Sequence, residues 1–133
     1  MSDLSKDIDQ FINKFELGDE YKTVHLISTL GDRLKHIQEE VTELETAILF
    51  AHRTEIIDAL VDITYLAIGT ARMCGFDFNK HWDEVHKCNM AKELRVGENG
   101  YKIGVCKPID WQGPDHQSII EDTINEVYNN GNF

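Results

Sequence analysis

The chain has 133 residues, 41% of them hydrophobic and 28% charged. That composition suits one ordinary globular domain spanning residues 1–133, and the length is too short for a TIM barrel or a two-lobed dinucleotide fold. Thirteen basic against 24 acidic residues leave a net charge of −11, which repels phosphate backbones and disfavours a partner made of polymeric nucleic acid. No apolar run reaches the roughly 20 residues that a bilayer span needs. The longest, Ile56 to Ala71, is interrupted by Asp58 and Asp62, so no membrane partner is expected. The opening residues Met1 to Lys6 lack the basic-then-apolar order of a signal peptide. Cys74, Cys88 and Cys106 are odd in number and form no CxxC pair. They read as idle thiols in a reducing, cytoplasmic compartment and not as a disulfide framework or zinc site.

Only two prolines occur, Pro108 and Pro114, so long helices are the expectation for residues 1–93. Ile8, Phe11, Ile12 and Phe15 recur at helical spacing and predict a first helix from about Leu4 to Phe15, with Gly18 as its C-terminal cap. Leu30, Leu34, Ile37, Val41, Leu44 and Ile48 alternate steps of four and three, one continuous packing seam on a second helix. Gly31 and Asp32 leave its start open between a break and an N-cap. Ala51 to Thr54 makes a short connection, with Thr54 the expected N-cap and Glu55 in the first turn of a third helix that runs to about Met73. Gly75 stops it. So short a link makes the second and third helices an antiparallel hairpin.

A fourth helix is expected from near Asn79 through Asn89. Arg95 to Gly113 contains Gly97, Gly100, Gly104 and Gly113 and reads as loop, with an extended piece at Tyr101 to Cys106. Ser118 to Tyr128 predicts a final amphipathic helix, and Asn129 to Phe133 a frayed end. The fold class is therefore all-α, a four- to five-helix bundle with a central antiparallel hairpin and a loop-rich C-terminal segment.

The acidic residues carry the chemistry. Glu39, Glu40 and Glu43 lie on the second helix, where Glu40 and Glu43 flank the seam on a mixed face with His36, Ala47 and Phe50. On the third, Asp58, Asp62 and Tyr65 fall within about 80° of Glu55. They form a narrow stripe opposite a broad arc of Ile56, Ile57, Leu60, Val61, Ile63, Ala67 and Ile68. So apolar a helix is expected to be central, with poorly solvated carboxylates, and buried like charges must be protonated, paired or metal-bound. With axes roughly 8–10 Å apart, Glu40, Glu43, Glu55 and Asp58 would converge on one or two cations. Hard oxygen ligands without cysteine suit Mg²⁺ or Mn²⁺ better than Zn²⁺. A Glu-rich stretch is more often a solvated helix face, the reading that suits Glu45. The stripe on the third helix is what argues for a metal.

Three elements occur in order: Glu39-Glu40-Val41-Thr42-Glu43 followed by Glu55-Ile56-Ile57-Asp58; Asn89-Met90-Ala91-Lys92; and Lys107-Pro108 with Trp111 and Pro114. In these the chain resembles the MazG-like all-α nucleotide pyrophosphohydrolases, the superfamily that includes the phosphoribosyl-ATP pyrophosphohydrolase relatives. The tail is similar to that of short phage-type members, and the resemblance covers about residues 30–115. It implies hydrolysis of a (deoxy)nucleoside triphosphate between the α and β phosphates, giving monophosphate and pyrophosphate. By that resemblance Glu40, Glu43, Glu55 and Asp58 hold Mg²⁺, Glu39 stands beside them as a base candidate, and Asn89 and Lys92 contact the phosphates. It also implies a homodimer or homotetramer, with sites completed by a neighbouring subunit, in the cytoplasm of a cell or of a phage host.

The residues make physical sense of such a reaction. Divalent cations would reconcile a triphosphate with the acidic site and acidify a bound water. Glu39 or Asp62 would take its proton. Lys92, with Arg95, Lys102 and Lys107, would screen the leaving pyrophosphate, although a loop lysine is as readily a solvated one. Tyr65, Trp82 and Phe50 are aromatic platforms for the base, with core packing as the plainer reading of each. His36 and His86 read as donors near the acids or as satisfied core histidines.

The rival readings differ in kind. A ferritin-type di-metal carboxylate protein needs Glu-x-x-His, and none of the six histidines has Glu three residues before it. His-Asp and GxxxxGK[ST] motifs are absent as well. A non-catalytic helical adaptor would account for the seam but not for the acidic stripe.

Overall fold

The structure is a computed structural model that describes residues 2–15 and 26–129. Five helices and one two-stranded ribbon occur among them, in the order α1 (Leu4–Lys14), α2 (Leu26–Leu49), α3 (Arg53–Met73), α4 (Phe78–Met90), β1 (Glu93–Val96), β2 (Lys102–Cys106) and α5 (His116–Asn129). The mostly α-helical architecture read from the sequence is therefore observed. Among the described residues no helix is long and apolar enough to cross a membrane. The chain divides into two compact units, Met1–Phe78 and Asn79–Phe133.

In the first unit, Asp3 caps α1 by accepting from the backbone N–H of Ser5 at 3.1 Å and of Lys6 at 3.4 Å. Ile8 and Ile12, one turn apart, bury against Ile68 of α3, and Phe78 packs on the same cluster. An ion pair between Arg72 and Asp9 at 2.6 Å adds a polar tie between α3 and α1. The Gly18 cap expected from the sequence lies outside the described residues.

α2 starts at Leu26 and runs through Gly31 and Asp32 without a break. Its apolar seam divides. Leu30, Ile37 and Leu44 are half-buried, whereas Leu34, Val41 and Ile48 are 55%, 48% and 59% exposed. Residues three or four apart point in directions that differ by tens of degrees, so one set turns towards α3 and the other away.

α2 and α3 pack as the expected hairpin. The turn between them is a Schellman motif: His52 N–H donates to Ala47 O at 2.9 Å and Ala51 N–H to Ile48 O at 3.1 Å. Ala51 takes the left-handed conformation, φ 53°. Because the motif consumes Phe50 to His52, α3 begins at once, with His52 and not Thr54 at its N-cap. Thr54 lies inside the helix, which corrects the expectation. A second Schellman motif ends α3, with Gly75 N–H donating to Arg72 O and Phe76 N–H to Ala71 O, each at 3.0 Å. Gly75, φ 78°, stops the helix as its sequence position indicates.

The hairpin is clamped near its open end. Arg33 reaches from α2 and donates through Nε to Thr70 Oγ1 at 3.1 Å and through a terminal nitrogen to Leu66 O at 3.0 Å. It lies over Gly69, where a Cβ would stand 2.6 Å from that nitrogen.

α3 is not enclosed as its composition suggests. Ala59, Ile68, Gly69 and Met73 are buried, but Ile57, Leu60 and Val61 are exposed. The apolar arc is broader than the strip that α1 and α2 cover.

In the second unit, β1 and β2 pair antiparallel, Glu93 opposite Cys106 and Val96 opposite Lys102, with a register shift that skips Ile103. The sequence points to an extended piece only at Tyr101 to Cys106; its partner, Glu93–Val96, lies beyond the expected helix and runs into the stretch expected to be loop, which the pairing corrects. α5 begins at His116, earlier than the expected Ser118, because Asp115 caps it: its carboxylate accepts from Ser118 N–H at 3.1 Å and from Ser118 Oγ at 2.8 Å. Asn129, expected to fray, is its last residue. Lys80 ties α4 to Glu126 of α5 at 3.1 Å, and Glu84 accepts from Asp115 N–H at 3.3 Å.

Candidate active site

The α2–α3 hairpin sets the acids of two helices beside one another in two hollows. The first, about 340 Å³, is lined by His36, Glu39 and Glu40 of α2 and by Asp62, Tyr65 and Leu66 of α3. The second, about 420 Å³, holds Thr42, Glu43, Thr46 and Ala47 of α2, then Phe50, His52 and Glu55. Helical geometry explains the division. Glu40 and Glu43 are three residues apart, so they lie on one side of α2 but at successive levels. Asp62 and Glu55 are two turns apart on α3, running the opposite way.

Glu40 connects the two levels. It is half-buried, and its Oε2 is sealed from solvent with no hydrogen-bond donor. Its pKa is raised above the ordinary 4.5, first by burial, then by the charges of Glu43 and Asp62, by a hydrogen bond shared with Glu43, and by the charge of Asp58. Removing water disfavours the carboxylate, and three acidic neighbours add to that. Asp58 is an exposed residue of α3, as is Glu55; Asp62 is half-buried.

These observations bear on a metal in two ways. Among the described residues no three His, Cys, Asp or Glu side chains stand together as a ready ligand set. The chemistry of the donors nevertheless fits a hard dication. A sealed carboxylate oxygen without a donor, on a side chain whose charge Glu43, Asp62 and Asp58 disfavour, lacks what Mg²⁺ or Mn²⁺ supplies.

Tyr65 stands between the first acidic hollow and a third, apolar groove of about 500 Å³ lined by Leu4, Ile8, Ile57, Leu60, Val61 and Ile68 among others. Its ring meets Phe11 edge-on, with centroids 5.3 Å apart. Phe50 is exposed and meets His52 edge-on at 6.5 Å. The sequence reading did not single out Thr42, Thr46 or His52. The first two sit one turn apart beside Glu43, a spacing visible in the sequence, whereas His52 reaches the hollow only because of the turn.

The other sequence-derived candidates belong to the second unit. Trp82 and Asn89 are exposed on α4 and Lys102 on β2. Lys92, just after α4, and Lys107, just after β2, both lie over the ring of Trp111, with Nζ 5.4 and 4.8 Å from its centroid. Arg95 and His86 are exposed.

Against known families, residues 11–89 match the one described as phosphoribosyl-ATP pyrophosphohydrolase. That span takes in α2, α3 and nearly all of α4. No curated protein matches the chain.

Proposed function

The chain belongs to the phosphoribosyl-ATP pyrophosphohydrolase family, within the MazG-like superfamily, and from that membership we propose that it hydrolyses (deoxy)nucleoside triphosphates between the α and β phosphates. The products are nucleoside monophosphate and pyrophosphate, and the reaction depends on Mg²⁺, with Mn²⁺ as a substitute. The observation that carries this reading is Glu40, a carboxylate with a sealed, donorless oxygen, with Glu43 acting on it from the same helix and Asp58 and Asp62 from across the hairpin.

Glu40, Glu43, Glu55 and Asp58 would hold the metal. When bound, the ion supplies charge neutralisation for the triphosphate, polarisation of the phosphoryl group and a more acidic water. The remaining roles fall to the chain. Glu39 and Asp62 line the same hollow as Glu40, where either takes the proton of the attacking water. Tyr65, Phe50 and Trp82 offer aromatic faces to a base. Asn89, Lys92, Lys102 and Lys107 bind phosphate oxygens and offset charge on the leaving pyrophosphate. Residues 1–133 serve as one functional domain, acting in the cytoplasm as a homodimer or homotetramer.

The test is incubation with each nucleoside triphosphate and Mg²⁺, followed by separation of the products. Phosphoribosyl-ATP, named in the family's description, joins the panel as another triphosphate. Monophosphate plus pyrophosphate is the expected outcome. Orthophosphate plus diphosphate overturns the assigned bond, and no turnover of any nucleotide favours the helical adaptor.

A further inference from the structure

Trp111 gathers two ammonium groups from separate stretches of the second unit onto one indole. Lys92 arrives from the end of α4 and Lys107 from the end of β2, with Nζ 5.4 and 4.8 Å from the ring centroid. The indole is itself held in place. Its Nε1–H donates to Cys88 O at 2.8 Å, a carbonyl at the C-terminal end of α4 that Ala91 N–H also meets, at 3.3 Å. Its backbone N–H donates to Pro108 O at 2.9 Å, closing a turn directly after Lys107.

This pairing runs against the charge of the chain. With 24 acidic residues available, neither lysine forms an ion pair among the described residues. Two ammonium groups drawn to one ring repel each other. Attraction to the electron-rich indole offsets part of that repulsion and leaves N–H donors directed elsewhere. An anion with charge spread over several oxygens completes such a pair better than a single carboxylate does.

We propose that Trp111 is a positioning residue that sets Lys92 and Lys107 as a two-pronged clamp for an oligophosphate, the pyrophosphate portion of the nucleotide, built wholly from residues 79–133. The choice of ligand rests on the pyrophosphohydrolase reading. Lys92 and Lys107 are already candidates for the phosphates; the geometry adds Trp111, the ring that joins them. Two prongs match two phosphoryl groups, so pyrophosphate is preferred over orthophosphate, which offers one. Added salt weakens the binding.

The test is calorimetric titration of the full chain with inorganic pyrophosphate in excess chelator, with the indole N–H resonances followed in parallel and Trp111→Phe used to assign them. Saturable binding that shifts the Trp111 resonance is expected, with orthophosphate about tenfold weaker or more. Lys107→Ala and Trp111→Leu should each weaken pyrophosphate by about tenfold, while Trp111→Phe, which keeps a ring face, restores most of the affinity. Circular dichroism confirms that each variant is folded. Lys107→Ala leaves the indole in place, so it stands as the decisive variant if Trp111→Leu unfolds. Unchanged affinity in Lys107→Ala, or a Trp111 resonance that ignores pyrophosphate, overturns the clamp. Pyrophosphate binding without nucleotide hydrolysis leaves the clamp standing and defeats the proposed reaction. Hydrolysis with an unaltered KM in Lys107→Ala does the reverse.

Discussion

Ala51 and Gly75 occupy the same backbone position, the left-handed residue of the Schellman motifs that end α2 and α3. At Gly75 this conformation is free of side-chain strain. At Ala51 the Cβ crowds the neighbouring carbonyl. Ala51→Gly relieves that crowding but enlarges the unfolded ensemble, so a net gain of about 0.5–1 kcal/mol is expected. Gly75→Ala should lower stability by about 1 kcal/mol. Chemical denaturation of the two variants measures both, and changes of opposite sign are the signature of the shared motif.

Arg33 and Gly69 hold α2 to α3 by an interlocked contact. A methyl at Gly69 displaces the guanidinium, which then loses its bonds to Thr70 Oγ1 and Leu66 O. Gly69→Ala and Arg33→Met should each cost about 1.5–3 kcal/mol. The double variant should cost clearly less than the sum, because both remove the same contact. Additive losses in urea unfolding would show that the two act separately.

Substitution in the acidic hollows should separate activity from stability. Glu43→Gln and Asp58→Asn are expected to lose most nucleotide hydrolysis while the helical circular dichroism spectrum is retained. Glu40→Gln removes the charge that burial, Glu43, Asp62 and Asp58 disfavour, so in chelator its melting temperature should rise above that of the unsubstituted chain. Mg²⁺ or Mn²⁺ should raise the melting temperature of the unsubstituted protein and do so less in these variants. Full activity in both Glu43→Gln and Asp58→Asn removes them from the ligand set.

The second unit should weaken in acid. Glu84 is held below the ordinary 4.5 chiefly by the hydrogen bond from Lys87, then by the N–H of Asp115. Asp115 is held below 3.8 by the backbone N–H of Ser118 and then by its hydroxyl. Both folded pKa values are depressed, so the stabilisation is present above the ordinary values and is lost as pH falls through the lower, folded ones. Glu84→Gln and Asp115→Ala should therefore lower the melting temperature at about pH 7 and make much less difference at about pH 3. A deficit that persists undiminished in acid assigns the effect to packing.

The outward half of the α2 seam predicts self-association. Leu34, Val41 and Ile48 repeat every seven residues on an exposed face, the pattern that buries against another helix. Sedimentation should give a dimer or tetramer, and Val41→Glu should shift it towards monomer. A monomeric unsubstituted chain at high concentration sinks the oligomeric reading.

Much of the helical framework is legible in the residues because periodicity reports direction around an axis. Ile8 and Ile12 bury as their spacing requires, and α4 lies within one residue of its expected limits. The same logic places Glu40 and Glu43 on one side of α2, and Asp58 and Asp62 on one side of α3. It fails where a partner or a turn decides. Thr54 has the right chemistry for a cap, but the backbone bonds of His52 and Ala51 close the turn two residues earlier. Glu93–Val96 becomes a strand only because Lys102–Cys106 lies opposite.

By itself, then, the order of residues determined which segments are helical, which carry acid, and that two acidic helices follow one another across a short link. Those are local properties, set by spacing and by backbone preference. Only the tertiary structure decided that Glu39, Glu40 and Asp62 share one hollow while Glu43 and Glu55 share another. It alone turned half of the α2 seam outward and brought Lys92 and Lys107 to the same ring. Each of these depends on where a chain returns after reversing, and that is fixed by contacts between residues far apart in the sequence.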